Sequence, residues 1–287
     1  MKVALLAARS LAWAQGQSPS EIARPASVEG GTWRRFSRLA RLSAAVLAPL
    51  LDEAVAWDGA NGDRRRAPLD LQEIPLFFGT GLGEFSSTFQ FLRSLTLRGA
   101  AGASPLAFQN SVHNAAAGHL SIAFGLRGPS ETLCAGDLTT LRTFERAMAW
   151  MIASQAPALV VLGDDLGDDA VAGWRVAGHD WPLGEGAAAF LMAPLPAAEP
   201  PPPASGDRRR PASGPMTVEL IDPGTSSPRR LSMRTATDIR RTMDADPFGA
   251  FCTVEAQVLA QSVRDRFRLD LGFPTAPGSA LLVRLPA

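Results

Sequence analysis

The stretch GPSETLCAGDLTTL, residues 128–141, has the layout of a nucleophile elbow: an apolar run, a turn of small residues and the start of a helix. Such a turn lifts a reactive side chain off a strand end and sets it at the positive end of the next helix. Two side chains compete for that role, Cys134 and Asp137. A thiolate at a helix N-terminus has a lowered pKa, and the thioester it forms both makes and breaks easily. A carboxylate is a poor substitute, because its acyl product is a mixed anhydride that water destroys. Asp137 has a second use as a helix cap, where a carboxylate accepts free N–H groups and contributes typically ~1 kcal/mol.

The other candidate chemistry is weaker. GTGLGEF, residues 79–85, approaches a dinucleotide fingerprint, but Glu84 stands where the third glycine belongs. No acidic ribose ligand follows about 20 residues on, so the segment reads as a glycine-rich turn at a strand end. The chain contains neither a G-x-x-x-x-G-K-[ST] loop nor a G-x-S-x-G elbow. His113 and His119 flank NAAAG and read as surface or partly buried polar groups, since a base needs a nucleophile within hydrogen-bond reach.

Composition narrows the partners. Lys plus Arg equals Asp plus Glu at 28 each, which leaves no global charge to draw the chain to nucleic acid or a membrane surface. Local arginine clusters remain, at Arg34–Arg35, Arg64–Arg66, Arg208–Arg210, Arg229–Arg230 and Arg240–Arg241. Cys134 and Cys252 make no disulfide framework, and His113, His119 and His179 show no metal-ligand spacing with them. The expectation is a cytoplasmic protein with neither metal nor cofactor. The opening MKVALLAARSLAWAQG imitates a secretion signal, but Arg9 interrupts its apolar run and VALLAA reads better as a buried strand. No run approaches the roughly 20 apolar residues of a membrane span.

The elements that must position the elbow follow from periodicity. WRRFSRLARLSAAVLAPLLDEAV carries Phe36, Leu39, Leu42, Val46 and Leu50 at helical spacing. IPLFFGTG is an apolar run ending in glycines, a buried strand that enters a tight loop. A short helix is expected near Ser87–Leu97, and the small-residue centre of PLAFQNSVHNAAAGHLSIAFGL suits a helix packed closely on a sheet. SETLCAG reads as a strand, and LTTLRTFERAMAWMIAS as an amphipathic helix with Leu141, Phe144, Met148 and Met151 on one stripe. ALVVLGDD and GEGAAAFLMAP complete the strands of an alternating β/α pattern, which predicts an α/β sheet covered on both faces. Pro, Gly, Ser and Arg dominate residues 193–215, a linker or exposed loop. Beyond it MTVELIDPG and GSALLVRLPA read as strands and FGAFCTVEAQVLAQSVRDRF as a helix.

Taken in order, FFGTGLGEF, SPLAFQNSVHNAAAGHLSIAFGLRGPS, the elbow, its helix, ALVVLGDD and WPLGEGAAAFLMAP resemble the N-terminal half of a β-ketoacyl synthase, a thiolase-fold condensing enzyme. The resemblance implies an α/β, thiolase-like layered sandwich whose N-terminal half is largely complete and whose C-terminal half is strongly truncated. The expected divisions are a ketosynthase-like domain over 1–192, the linker over 193–215 and a remnant of the second thiolase half over 216–287.

In such synthases the elbow cysteine takes the acyl chain from an acyl carrier protein. Counting from Gly128–Pro129 places that position at Asp137 and leaves Cys134 inside the preceding strand with its sulfur packed away. The family also uses two histidines from its second half, and no histidine follows residue 179 here. The chain is therefore similar to the chain-length-factor-type subunits of aryl-polyene and type II polyketide pathways. Those pair with an active ketosynthase and have no catalytic set of their own. The resemblance implies an active ketosynthase as partner, with acyl carrier protein met directly or through it, and no nucleic acid or integral membrane segment. The strand before the elbow would pair across the dimer. Phe108, Asn114, Thr132, Leu133, Cys134 and Phe144 are the candidates for the interface and the shared tunnel. Two alternatives are an acyl-thioester decarboxylase or hydrolase using Asp137 or Cys134, and a carrier-protein-binding module.

Overall fold

A computed structural model of the chain describes residues 2–14, 19–61, 70–165, 167, 172, 176, 184–194, 216–221, 269–273 and 276–284. Its strands are β1 (Lys2–Ala14), β2 (Leu76–Gly79), β3 (Ser130–Leu133), β4 (Ala158–Asp164), β5 (Gly184–Pro194), β6 (Met216–Ile221), β7 (Leu269–Phe273) and β8 (Ala276–Arg284). Its helices are α1 (Gly30–Arg35), α2 (Arg38–Asn61), α3 (Phe85–Arg98), α4 (Pro105–Gln109), α5 (Ala115–Phe124) and α6 (Thr139–Ser154).

The strands form one sheet in the order β3-β2-β4-β5-β1-β6-β8-β7. β2 lies parallel between β3 and β4, and every other neighbouring pair is antiparallel. The alternation of side chains along each strand sorts the core into two layers. Phe77, Val160, Leu162, Ala188 and Phe190 meet Leu141, Phe144, Ala147, Met148 and Met151 of α6. Leu76, Phe78, Leu159, Val161, Ala189 and Leu191 meet Leu39, Leu42, Val46, Leu47 and Leu50 of α2 and Ala116, Ala117 and Leu120 of α5. All seven residues of β4 are buried, as a strand covered by helices on both faces must be. Each large side chain enclosed in these layers contributes roughly 1.5–3 kcal/mol.

Several sequence expectations are corrected in detail. β1 does not stop at Arg9, because its pairing with β5 runs unbroken from Ala7 to Ala14. The Arg9 guanidinium reaches Glu53 of α2 and the Ala8 carbonyl, so the charge does not interrupt the strand. The early helix is two helices, broken at Phe36 and Ser37, where the Ser37 hydroxyl accepts the Ala40 N–H at 3.1 Å. PLAFQNSVHNAAAGHLSIAFGL is likewise two helices: Ser104 caps α4 by accepting the Ala107 N–H, and residues 110–114 turn the chain before α5. GEGAAAFLMAP enters antiparallel to β4, which the β/α alternation did not reveal. β7 had no counterpart among the expected strands. The linker beyond residue 194, the helix expected over 248–267 with Cys252, and His179 lie outside the described residues.

Candidate functional site: the elbow and the carboxylates behind it

The C-terminal ends of the parallel strands β3, β2 and β4 come together, the position where open α/β sheets carry their sites. Pairing of β3 with β2 ends at Leu133 opposite Gly79. Beyond it the backbone reverses through Gly136, whose φ of 56° is left-handed and favours glycine, into a 3₁₀ turn over Gly136–Leu138 and then α6. Thr139 fastens the turn: its hydroxyl accepts the Ala135 N–H at 3.0 Å and donates to the Gly136 carbonyl at 2.7 Å. The elbow backbone is thus held by a threonine and a glycine, whatever occupies position 137. Asp137 sits in the middle of the 3₁₀ turn, and its expected capping bonds lie outside the described side chains.

Cys134 departs from expectation. The strand ends before it, so the residue is exposed in the turn, and its Sγ donates to the Gly81 carbonyl at 3.4 Å. Partial burial of the sulfur and the nearby Asp164 carboxylate push its thiol pKa above the ordinary value, against a smaller opposing effect of a Gly136 backbone hydrogen bond. A thiol held in that form is a weak nucleophile.

Behind the elbow lies a group of buried carboxylates that motif reading missed. Asp164, at the end of β4, accepts with one oxygen from the Thr80 hydroxyl at 2.8 Å, the Gly81 N–H at 2.8 Å and the Leu82 N–H at 3.0 Å. Asp165 accepts from the Ser86 hydroxyl at 2.7 Å through Oδ1, while its Oδ2 has no partner. Glu84 accepts from Ser37 at 2.6 Å and Ser87 at 3.1 Å. Glu185, at the start of β5, takes a forked contact from Arg38. Loss of hydration raises the pKa of Glu84 to about 8, of Asp164 to about 7 and of Asp165 to about 6, with mutual repulsion adding to each. The readable signal was an acidic residue set directly against a fully apolar strand, in VVLGDD and GEGAAAF.

The histidines take no part in this cluster. The Asn110 carboxamide joins His119 Nε2 at 2.8 Å to the Arg35 carbonyl at 2.9 Å, and the His119 ring packs 5.0 Å from Phe36. Burial, with Arg35 nearby, lowers its pKa, which suits a neutral core histidine. His113 is exposed, its ring lying against Gly83.

The remaining candidates separate into three places. Thr132 and Leu133 are half-buried on β3, and the Thr132 Oγ1 has no hydrogen-bond partner. Phe108 is 60% exposed on α4, touching Phe91 at 5.2 Å between ring centres, and Asn114 is exposed at the start of α5. Phe144 is instead wholly enclosed, edge-on to Phe190 at 5.2 Å, and serves the core beneath α6. Thr132, Leu133 and Cys134 therefore share the open edge of the sheet, where β3 is bonded on one side only among the described strands.

Part of the exposed surface is apolar. α3 buries Ser87 and Ser94 and turns out Phe85, Phe89 and Leu92 on its opposite side, an amphipathic helix with its polarity reversed. Leu106, Phe108, Val112 and Ile122 on the following elements are also exposed. Among the described residues no group of three or more His, Cys, Asp and Glu could hold a metal ion, and no helix is long and apolar enough to cross a membrane.

A mixed sheet with an elbow at the parallel strand ends and a helix layer on each face defines a ketosynthase-like α/β fold. The family model "Beta-ketoacyl synthase, N-terminal domain" matches residues 10–193, and the chain belongs to that family. No curated protein matches the chain. Among solved structures it is similar to the ketosynthase ApeO in complex with its chain length factor ApeC from Xenorhabdus doucetiae. That likeness has a TM-score of 0.57 and 17% identity, and covers 99% of this chain and 100% of the other. The ishigamide ketosynthase/chain length factor gives a TM-score of 0.58 and 19% identity over 95% of this chain and 86% of the other. A type II polyketide acyl-carrier protein in complex with its hexaketide-bound ketosynthase, AntDE:AntF, gives 0.64 and 10% over 99% of each. At these identities the likeness shows the fold.

Proposed function

We propose that the chain is a non-catalytic ketosynthase-like subunit of chain-length-factor type. In this reading it pairs with an active β-ketoacyl synthase in the cytoplasm through the open edge of β3, and the joined surface shapes the tunnel for a growing polyketide or polyene chain. The observation that carries the proposal is the contrast at the elbow. The backbone turn is intact and pinned by Thr139, whereas the position that the family resemblance gives to the nucleophile holds Asp137, and burial with the nearby Asp164 carboxylate pushes the Cys134 thiol above its ordinary pKa. The open edge of β3 and the exposed apolar residues of α3, α4 and α5 are features such a subunit could pair through. Two of the similar structures are ketosynthases with chain length factors, and a third is a ketosynthase with its acyl-carrier protein. Carrier protein is accordingly the second partner, met directly or through the synthase.

Co-expression with a candidate ketosynthase from its gene neighbourhood tests the pairing. A 1:1 complex at micromolar concentration, with synthase activity or product length dependent on the chain, is expected. Separate elution, with the synthase keeping full activity and product length alone, overturns the reading. Incubating the purified chain with acyl- and malonyl-carrier protein addresses the enzymatic alternative: no covalent adduct and no decarboxylation are expected, and either one, lost in Asp137→Ala or Cys134→Ala, makes the chain an enzyme.

A further inference from the structure

The outward face of α3 carries the chemistry of what must cover it. We propose that α3 receives an amphipathic helix of the partner synthase whose apolar stripe is flanked by Asp and Glu side chains. The inference rests on the pairing reading and adds the surface that the synthase must bring to it.

Three observations carry it. Ser87 and Ser94 are the buried residues of α3, so the opposite side of the helix is turned to solvent. Phe85, Phe89, Leu92 and Leu95 lie on that side, with Leu92 51% exposed and the Phe85 and Phe89 rings stacked at 6.4 Å. Steps of four, three and three residues join them into one stripe roughly 15 Å long at ~1.5 Å per residue, a form that fits the apolar stripe of a second helix. Of the eleven exposed large apolar side chains among the described residues, nine fall between Phe85 and Ile122, so this exposure is concentrated on α3 and the elements that follow it. The third observation is charge. Residues 85–130 contain no Asp or Glu, although the chain has 28 of them, while Arg93 and Arg98 stand exposed on α3. Arg93 follows Phe89 by four residues, which sets it on the rim of the stripe. Among the described residues neither arginine has an ion pair, whereas Arg9, Arg38, Arg142 and Arg146 each have one.

These charges select among occupants. A second copy in two-fold contact sets the acid-free rim against itself and leaves the guanidiniums without a carboxylate. An anionic bilayer draws on clusters of about four to eight basic side chains, and α3 offers only two. A carrier protein in transit leaves the stripe wet between visits, whereas a permanent partner keeps it covered, and permanent interfaces are the more apolar ones. A synthase helix with acidic margins meets both needs. Its apolar residues dry the stripe, and its carboxylates take the guanidinium contacts that set register and turn away a basic rival.

Binding of the full chain to the candidate ketosynthase from its gene neighbourhood, measured at about 50 mM and about 500 mM salt, tests the seam. Leu92→Gln, a change at an exposed site, is expected to weaken binding about tenfold or more at both salts, with the circular dichroism spectrum unchanged. Arg93→Glu is expected to weaken it about tenfold at low salt and no more than about threefold at high salt, and Arg93→Lys to stay within about threefold throughout. Hydrogen exchange on the synthase is expected to show protection, lost with Leu92→Gln, in a helix that carries Asp or Glu beside its apolar residues. A complex that the wild-type chain, Leu92→Gln and Arg93→Glu all form equally well overturns the inference and leaves the pairing standing, whereas absence of any wild-type complex takes down both. Tighter binding by Arg93→Glu, or a loss of the same size at both salts, also overturns it, because the margin is then not acidic. Binding of the unpaired chain to vesicles with about 30% phosphatidylglycerol or to carrier protein, or a discrete dimer of the chain as tight as the complex, names a different occupant and overturns it if Leu92→Gln abolishes the contact. Arg93→Glu decides alone if Leu92→Gln does not fold.

Discussion

At the residue scale the site shows how backbone and chemistry separate. Thr139 and Gly136 hold the elbow through contacts that do not involve the side chain at 137. The turn itself was legible because Gly128–Pro129 and the helix start frame it. The Cys134 environment was not, since the strand's end is set by where β2 stops pairing, a fact about a segment about 50 residues away. Two substitutions probe the packing that positions this turn. A Cβ on Gly79 would stand 2.4 Å from both Leu162 Cδ2 and Thr143 Oγ1, so Gly79→Ala is expected to lower stability by about 1–3 kcal/mol in urea titration. Phe144→Ala empties a fully enclosed site against Phe190 and is expected to cost about 3–5 kcal/mol in the same measurement.

At the element scale the legible parts were those with strong periodicity. The stripe Leu141, Phe144, Met148 and Met151 identified α6, and all four residues are buried. Boundaries inside continuous patterns were harder to read: Ser37 starts a new helix within one, because a hydroxyl that accepts an N–H competes with the preceding turn, and the turn over residues 110–114 divides another. The direction of β5 was also hidden, since the apolar run AAAFLMA reads the same in either orientation. The edge strand offers an element-level test. The Pro129 and Leu133 carbonyls both accept from β2, so alternation turns the backbone of Thr132 towards the open edge. Thr132→Pro removes an outward N–H and spares the ladder to β2. Association with a synthase under the proposed pairing, followed by size-exclusion chromatography, is expected to fall at least tenfold while the circular dichroism spectrum is unchanged.

At the scale of the whole molecule the buried carboxylates set a dependence of global stability on pH. Glu84, Asp164 and Asp165 have folded-state pKa values of about 8, 7 and 6, all above their unfolded values. The folded chain therefore binds more protons than the unfolded one between those limits, and the stability they confer is full below about pH 4 and lost as pH rises through 6 to 8. The urea midpoint is expected to fall between pH 5.5 and 8.5, and to fall less in Asp164→Asn. The helix α3 carries a consequence for handling and synthesis. Its Ser87 and Ser94 face inward and its Phe85, Phe89 and Leu92 outward, so a chain produced alone presents a sticky flank to its own copies. Its yield in soluble form should then depend on what is made alongside it, and recovery from cells becomes a readout of companionship.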